Sequence, residues 1–353
     1  MSSTSDGNSG DLVLLQRGLA VAPCKFEDAK KAYSGTKKLT FLCADTLGIE
    51  SSEGVSEVPS IQLVVSIVPV LHEVLTQARS NKRTIVICAE DPCALTRVAL
   101  LFGCVMILVD NLSVTKVVGI FLPVSDRFTQ FHGSSLSQHS QQDSRVKVMD
   151  IWNAVNRAKQ LDWLRYSAGS TNNTGSFDEE QHAHYSCPLN GGICTIIPGK
   201  LVAFTTPSKL NDRDSGDWTD VPSTKQRFFG AQFFASLFGE TDHFGSISLV
   251  MGMSKDNKEN AHNLAPFAAR GIATEDINLD TGHLLRTVDR LITVVAAAPG
   301  TVAIHTCPAA AGVGGRVGET VAALLVCHLR FEAESAIAWI HMVRAWRLLS
   351  GED

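Results

Sequence analysis

Residues Thr301–Arg330 read TVAIHTCPAAAGVGGRVGETVAALLVCHLR. TVAIH (Thr301 to His305) is a β-branched strand candidate, and the apolar spacing further on predicts a helix from about Gly318 to Arg330. A glycine-rich turn joins them. A loop of this kind, running from the C-terminal end of a strand to a helix N-terminus, is a ready anion site. Glycine lets backbone amides converge, and the helix dipole favours negative charge.

The same strand-then-helix rhythm extends in both directions. Upstream, LLRTVDRLITVVAAA (Leu284 to Ala298) is helical in period and closed by Pro299-Gly300. SISLVMGM (Ser246 to Met253) and GKLVAFTTP, ended by Pro207, read as strands, and TKQRFFGAQFFASLFG (Thr224 to Gly239) reads as one aromatic-faced helix. In the first half, Lys37 to Ala44 and Arg83 to Pro92 are strand candidates. Ile61 to Ala78 and Ala94 to Val109 are apolar helices, and Arg145 to Leu164 is an amphipathic one. Alternation of this length specifies an α/β fold with largely parallel sheets. Two polar, low-complexity stretches, Gly133 to Ser144 and Ser167 to Ser176, read as loops, and the second divides the chain near its middle. With 353 residues, two domains are expected: a disordered tail over 1–12, a first domain over 13–165, a linker over 166–190 and a second domain over 191–353.

Composition narrows the class. At 44% hydrophobic and 19% charged residues the chain is globular, neither fibrous nor disordered. A net charge of −5 argues against a nucleic-acid partner. Nine cysteines without a C-x-x-C pair read as reduced thiols, not a disulfide frame. The polar start MSSTSDGNSGD resembles no signal peptide, and the apolar run Val98 to Val109 is too short to span a bilayer. The expectation is a cytoplasmic or nuclear protein with no membrane partner; oligomeric state is left open.

The chemistry turns on the loop. It fits no nucleotide motif: Glu319 stands where a Walker loop needs Lys, and the glycines miss G-x-G-x-x-G. A cysteine phosphatase loop fits better. That reaction needs a thiolate at the strand end, its pKa lowered by loop amides and the helix terminus. It also needs an Arg whose planar fork binds two phosphate oxygens, and an acid for the leaving group. Cys307 and Arg316 stand in that order, with His305 before them, and Asp280 in NLDTGH (Asn278 to His283) lies where an acid loop is expected. Gly312, Gly314 and Gly315 would contribute phosphate-binding amides. Plainer roles compete: Cys307 as a structural thiol, Arg316 as a surface residue, Asp280 as an N-cap, His305 as a hydrogen-bonded strand-end residue. His182 and His184 lack supporting ligands for a metal. The FFGAQFF aromatics, Phe331 and Trp339 read as core.

Several stretches resemble the Cdc-fourteen type of mitotic-exit dual-specificity protein phosphatases. RFEAESAIAWIHMVR (Arg330 to Arg344) is similar to the helix after that family's signature loop, and Val288 to His305 resembles the preceding helix and strand. IIPGKLVAFTTP (Ile196 to Pro207), after FDEEQHAHY, looks like the start of the catalytic domain; EDPCALTRVALLFGCVMIL (Glu90 to Leu108) is similar to a helix of the non-catalytic one. The resemblance implies two tandem phosphatase-like domains, only the second catalytic. It implies hydrolysis of phosphoserine before proline, or of phosphotyrosine, through a cysteinyl-phosphate intermediate, with no cofactor and no metal. Cell-cycle or cytoskeletal regulation at centrosome, spindle or cilium is the implied biology. The partner would be a phosphoprotein with basic residues after the phosphosite, which suits an acidic chain.

The departures fall on the chemistry. The family separates Cys and Arg by five residues directly after His; here eight separate Cys307 from Arg316, and Thr306 intervenes. Family spacing counted back from Arg316 lands on Ala310, and strict spacing puts Leu279, not Asp280, at the acid. His283 lies where Pro is usual, Ala345-Trp346 stand where Pro-Gly would follow an Arg, and the sequence stops at Asp353, before the water-positioning glutamine motif. Three readings follow: a pseudophosphatase binding phosphopeptides or acting as a scaffold, an altered active loop, or a coding sequence mis-assembled near the loop and the end.

Overall fold

In this computed structural model the residues described are 12–15, 18–36, 38–43, 57–133, 144–167, 173–208, 217–221, 226–240, 244–254, 264–279, 284–306 and 314–343. The first half runs β1 (Val13–Leu14), β2 (Leu19–Ala22), α1 (Phe26–Ala32), β3 (Leu39–Cys43), α2 (Ile61–Ser80), β4 (Thr84–Cys88), α3 (Pro92–Leu108), α4 (Val114–Phe121), β5 (Phe131–Gly133), β6 (Ser144–Val146) and α5 (Val148–Gln160). Its sheet has the order β1-β2-β4-β3, with β4 parallel to both β2 and β3. Strand alternation sorts the faces. Leu19 and Val21 join the core under α2 and α3, while Ala20 and Ala22 pack against Ala29 of α1. The helix starts are written in side chains: Ser60 Oγ accepts from Leu63 N at 3.2 Å, and Asp91 caps α3.

The second half runs α6 (Glu179–Tyr185), β7 (Ile193–Ile197), β8 (Leu201–Phe204), β9 (Trp218–Val221), β10 (Gln226–Phe229), α7 (Ala231–Glu240), β11 (Ile247–Ser254), α8 (Ala265–Ala269), β12 (Ala273–Asn278), α9 (Leu284–Ala297), β13 (Thr301–Thr306), α10 (Gly314–Leu329) and α11 (Ala333–Met342). The sheet order is β12-β11-β13-β8-β7, parallel except for the β7–β8 pair. Val202, Phe204 and Ala303 pack against Phe234 and Phe238 of α7. On the other face Leu201, Val302 and Ile304 meet Leu291 of α9 and Val321 of α10. The chain is therefore α/β, two mainly parallel sheets each flanked by helices.

A single apolar cluster links both sheets, because α11 lies against α5. Trp339 is fully buried; its indole Nε1 donates to Ile196 O at 3.0 Å, and its ring stands 5.2 Å from that of Trp163. Arg157 Nε donates to Leu329 O at 2.7 Å, so a cation of α5 closes the C-terminal end of α10. The stretch expected as a linker carries α6, and Phe177 packs 6.2 Å from Trp339.

The structure corrects several expectations. Thr224 to Gly239 is not one helix: Gln226–Phe229 is β10, paired antiparallel with β9, and the helix starts after Gly230. Its phenylalanines are core, but Phe229 comes from the strand and Phe234 from the helix. The helix after the glycine-rich turn starts at Gly314 instead of Gly318. Among the described residues α2, not the run from Val98, is long and apolar enough to cross a membrane by length and composition. Its stripe Val64, Val68, Leu71 and Leu75 is buried in the core.

Candidate functional site

The candidate site starts from β13, the middle strand of its sheet. β-branched TVAIH suits a buried parallel strand. Its entry is fixed by Gly300, where an added Cβ would meet Ser246 O at 2.1 Å. Thr301 N donates to that same carbonyl at 2.8 Å, and Thr301 Oγ1 to Phe244 O at 2.6 Å. At the other end His305 is buried on the α7 face, its ring 5.2 Å from Phe204. Helix α10 then lies on the sheet through Val317, Val321, Leu324 and Leu325.

Ligands of parallel α/β sheets sit outside the C-terminal ends of the strands. That edge gathers the ends of β8, β11, β12 and β13 and the N-terminus of α10. Gly314, Gly315 and Arg316 form the first turn of α10 by their backbone; the Arg316 side chain lies outside the described residues. So do Cys307, Gly312 and Asp280. Asp280 follows β12 by two positions, after Leu279, which is buried. β11 lies between β12 and β13, so the two strand ends stand about 10 Å apart on one edge.

The first sheet presents the same edge with different chemistry. There β4 leads through Ala89, Glu90 and Asp91 into α3, a turn without glycine. Asp91 fills the helix N-terminus itself, its carboxylate accepting from Cys93 N at 3.2 Å and Ala94 N at 3.1 Å. Cys43 and Cys88 pair in register at the ends of β3 and β4. Burial pushes the Cys88 thiol up to about 12, and burial with Asp28 and Glu90 raises Cys24. A thiol that burial keeps protonated, as at Cys88, is a poor nucleophile. The two edges therefore differ in what stands at the helix start: Asp91 at α3 on the first, Gly314 and Gly315 at α10 on the second.

One feature of that edge escaped sequence reading. β9 and β10 follow β8, with Ser208 N donating to Phe229 O at 2.8 Å. On this pair Arg227 holds Asp220 through two bonds of 2.6 and 3.0 Å and lies 5.1 Å over the Trp218 ring. The Arg227 bond holds the Asp220 carboxyl below its ordinary range. Trp218 is 44% exposed. The alternation in WTDV and QRFF was the available signal. Elsewhere, buried His182 packs 5.0 Å from Phe177, and His184 stands 4.7 Å from Tyr185. Among the described residues no group of three or more His, Cys, Asp or Glu is arranged to hold a metal ion.

No family model matches the chain. Curated relatives are similar to it at low identity. Dual specificity protein phosphatase CDC14C of Homo sapiens is 24% identical over 201 residues, 56% of this chain. CDC14AB of Danio rerio is 24% identical over 210 residues, 59% of the chain. CDC14B of Mus musculus is 22% identical over 201 residues, 56% of the chain. The matched stretch spans 38%, 30% and 36% of those three relatives, about a third of each. The chain is thus distantly related to the CDC14 dual specificity phosphatases, similar to them across just over half its own length.

Proposed function

We propose that this protein is a cysteine-dependent protein phosphatase of the dual-specificity type. The observation that carries the reading is that β13, the middle strand of the second sheet, is followed in the chain by α10, which opens on Gly314, Gly315 and Arg316. Cys307 directly follows β13 and Arg316 lies in the first turn of α10. In the proposed reaction the Cys307 thiolate attacks phosphorus, forming a sulfur–phosphorus bond as the ester oxygen leaves. Arg316 and the amides of Gly312, Gly314 and Gly315 bind the phosphoryl oxygens, and Asp280 protonates the leaving oxygen. Water then cleaves the cysteinyl phosphate and releases inorganic phosphate. The substrates would be phosphoserine before proline or phosphotyrosine, with basic residues following, on cell-cycle or cytoskeletal proteins.

Purified protein should hydrolyse p-nitrophenyl phosphate, and Cys307→Ser should lower the rate at least about 100-fold. Equal rates would overturn the assignment. A second reading, a pseudophosphatase that binds phosphopeptides, is favoured by the eight residues between Cys307 and Arg316. Three residues more than the family spacing must bulge if sulfur, amides and guanidinium are to converge on one phosphate. That reading predicts no turnover, with vanadate or a phosphopeptide raising the melting temperature of the wild type but not of Arg316→Ala.

A further inference from the structure

Between α4 and the start of α5, in the half outside the proposed reaction, lies a cavity of about 290 Å³. Its walls are mainly apolar and aromatic, with Phe121, Phe128 and Trp152 as the largest groups and Val118 and Val148 between them. The Phe121 ring stands 5.6 Å from Trp152 and 6.4 Å from Phe128. These walls are anchored. Trp152 Nε1 donates to Leu100 O at 3.0 Å, holding the indole against α3. Thr129 N donates to Thr96 Oγ1 at 2.9 Å, and Thr129 Oγ1 to Cys93 Sγ at 3.6 Å, so the segment carrying Phe128 is tied to the same helix. Rotating Trp152 inward would break a buried bond, so that wall is held in place. The hollow opens to solvent past Ser125, Gln130 and Lys147, which are exposed. A preformed apolar hollow near the lower end of ligand-pocket sizes calls for a small occupant.

The rim says which kind. Among the described residues Lys147 is the one charged side chain lining the cavity, beside the neutral Ser125, Thr129 and Gln130. It is an exposed cation on a chain of net charge −5. We propose that this cavity binds a small molecule with a planar apolar body and one anionic group, an arylcarboxylate or arylsulfonate in class. The rings lie against Phe121, Phe128 and Trp152, and the anion pairs with Lys147.

Fluorescence titration of the full chain with 8-anilinonaphthalene-1-sulfonate tests this, with uncharged N-phenyl-1-naphthylamine as the matched probe. The sulfonate should bind saturably at one site. Lys147→Glu should weaken it about tenfold or more while changing the uncharged probe less than about twofold. Val118→Phe, which fills the cavity, should abolish binding of both probes. Ser125→Trp, at an exposed rim position, closes the mouth and serves if Val118→Phe does not fold. No saturable binding, or binding that survives the filling variants, overturns the site. Equal weakening of both probes by Lys147→Glu overturns the anionic class.

Discussion

At the scale of single residues, burial decides what each titratable group does. His341 in α11 is 3% exposed, and burial pushes its imidazole down to about 4. It is therefore neutral in the folded protein at neutral pH. Below its ordinary value near 6.5, the unfolded chain takes up the proton first. Stability attributable to this residue is full above about pH 6.5 and is lost as pH falls toward 4, on the order of 1 kcal/mol per pH unit. Urea melts of wild type and His341→Gln should show the wild-type advantage shrinking steadily between those two values. An advantage constant with pH would contradict the assignment. The same logic separates the cysteines: the Cys88 thiol, pushed up to about 12, is a packing group. Sequence order alone nominated Cys307, Arg316 and Asp280, and burial is not legible in sequence. The strand-end thiols of the first sheet looked no different on paper.

At the scale of elements, what sequence made legible follows from how much of each element is apolar. α3 and α9 were readable because one is apolar around its whole circumference and the other carries a clear stripe. β12 was missed because an edge strand needs few apolar residues; Thr274 and Ala273 are exposed, and Ile277 is buried. Thr224 to Gly239 misled because two phenylalanine pairs fit helical spacing, while Gly230 marks the break. Contacts between elements carry the energetics. Arg157 reaches from α5 to the last turn of α10 at 2.7 Å, and Lys159 Nζ reaches Ile107 O at the end of α3. Losing a hydrogen bond from a charged donor costs about 1.5–3 kcal/mol. Arg157→Ala should therefore lower the unfolding free energy by about that much in urea denaturation, and no change would remove α5 from its clamping role. Gly103 is a tighter constraint, since a Cβ there would meet the Trp152 ring at 2.2 Å. Gly103→Ala should destabilise by about 1–3 kcal/mol through overpacking, read in the same experiment.

At the scale of the whole molecule, two sheets share one apolar core, and the seam between them was not visible in sequence. Its pairs lie far apart along the chain, as Trp339 with Ile196 and Arg157 with Leu329. A shared core couples the halves. Trp339→Ala should cost about 3–5 kcal/mol. Far-ultraviolet dichroism and tryptophan fluorescence should still give one coincident transition; two separate transitions would mean the halves fold independently. The two edges also differ, and on the proposed function only the second would carry the reaction. Asp91 caps the first, and at the second α10 opens on Gly314 and Gly315. Acid-quenching the protein during turnover of p-nitrophenyl phosphate and mapping the phosphoryl group across the whole chain by peptide mass spectrometry tests this most directly. The account predicts one cysteinyl phosphate, on the peptide carrying Cys307, and none on those carrying Cys43 or Cys88. Turnover without that adduct, or phosphate on a thiol of the first sheet, would contradict it.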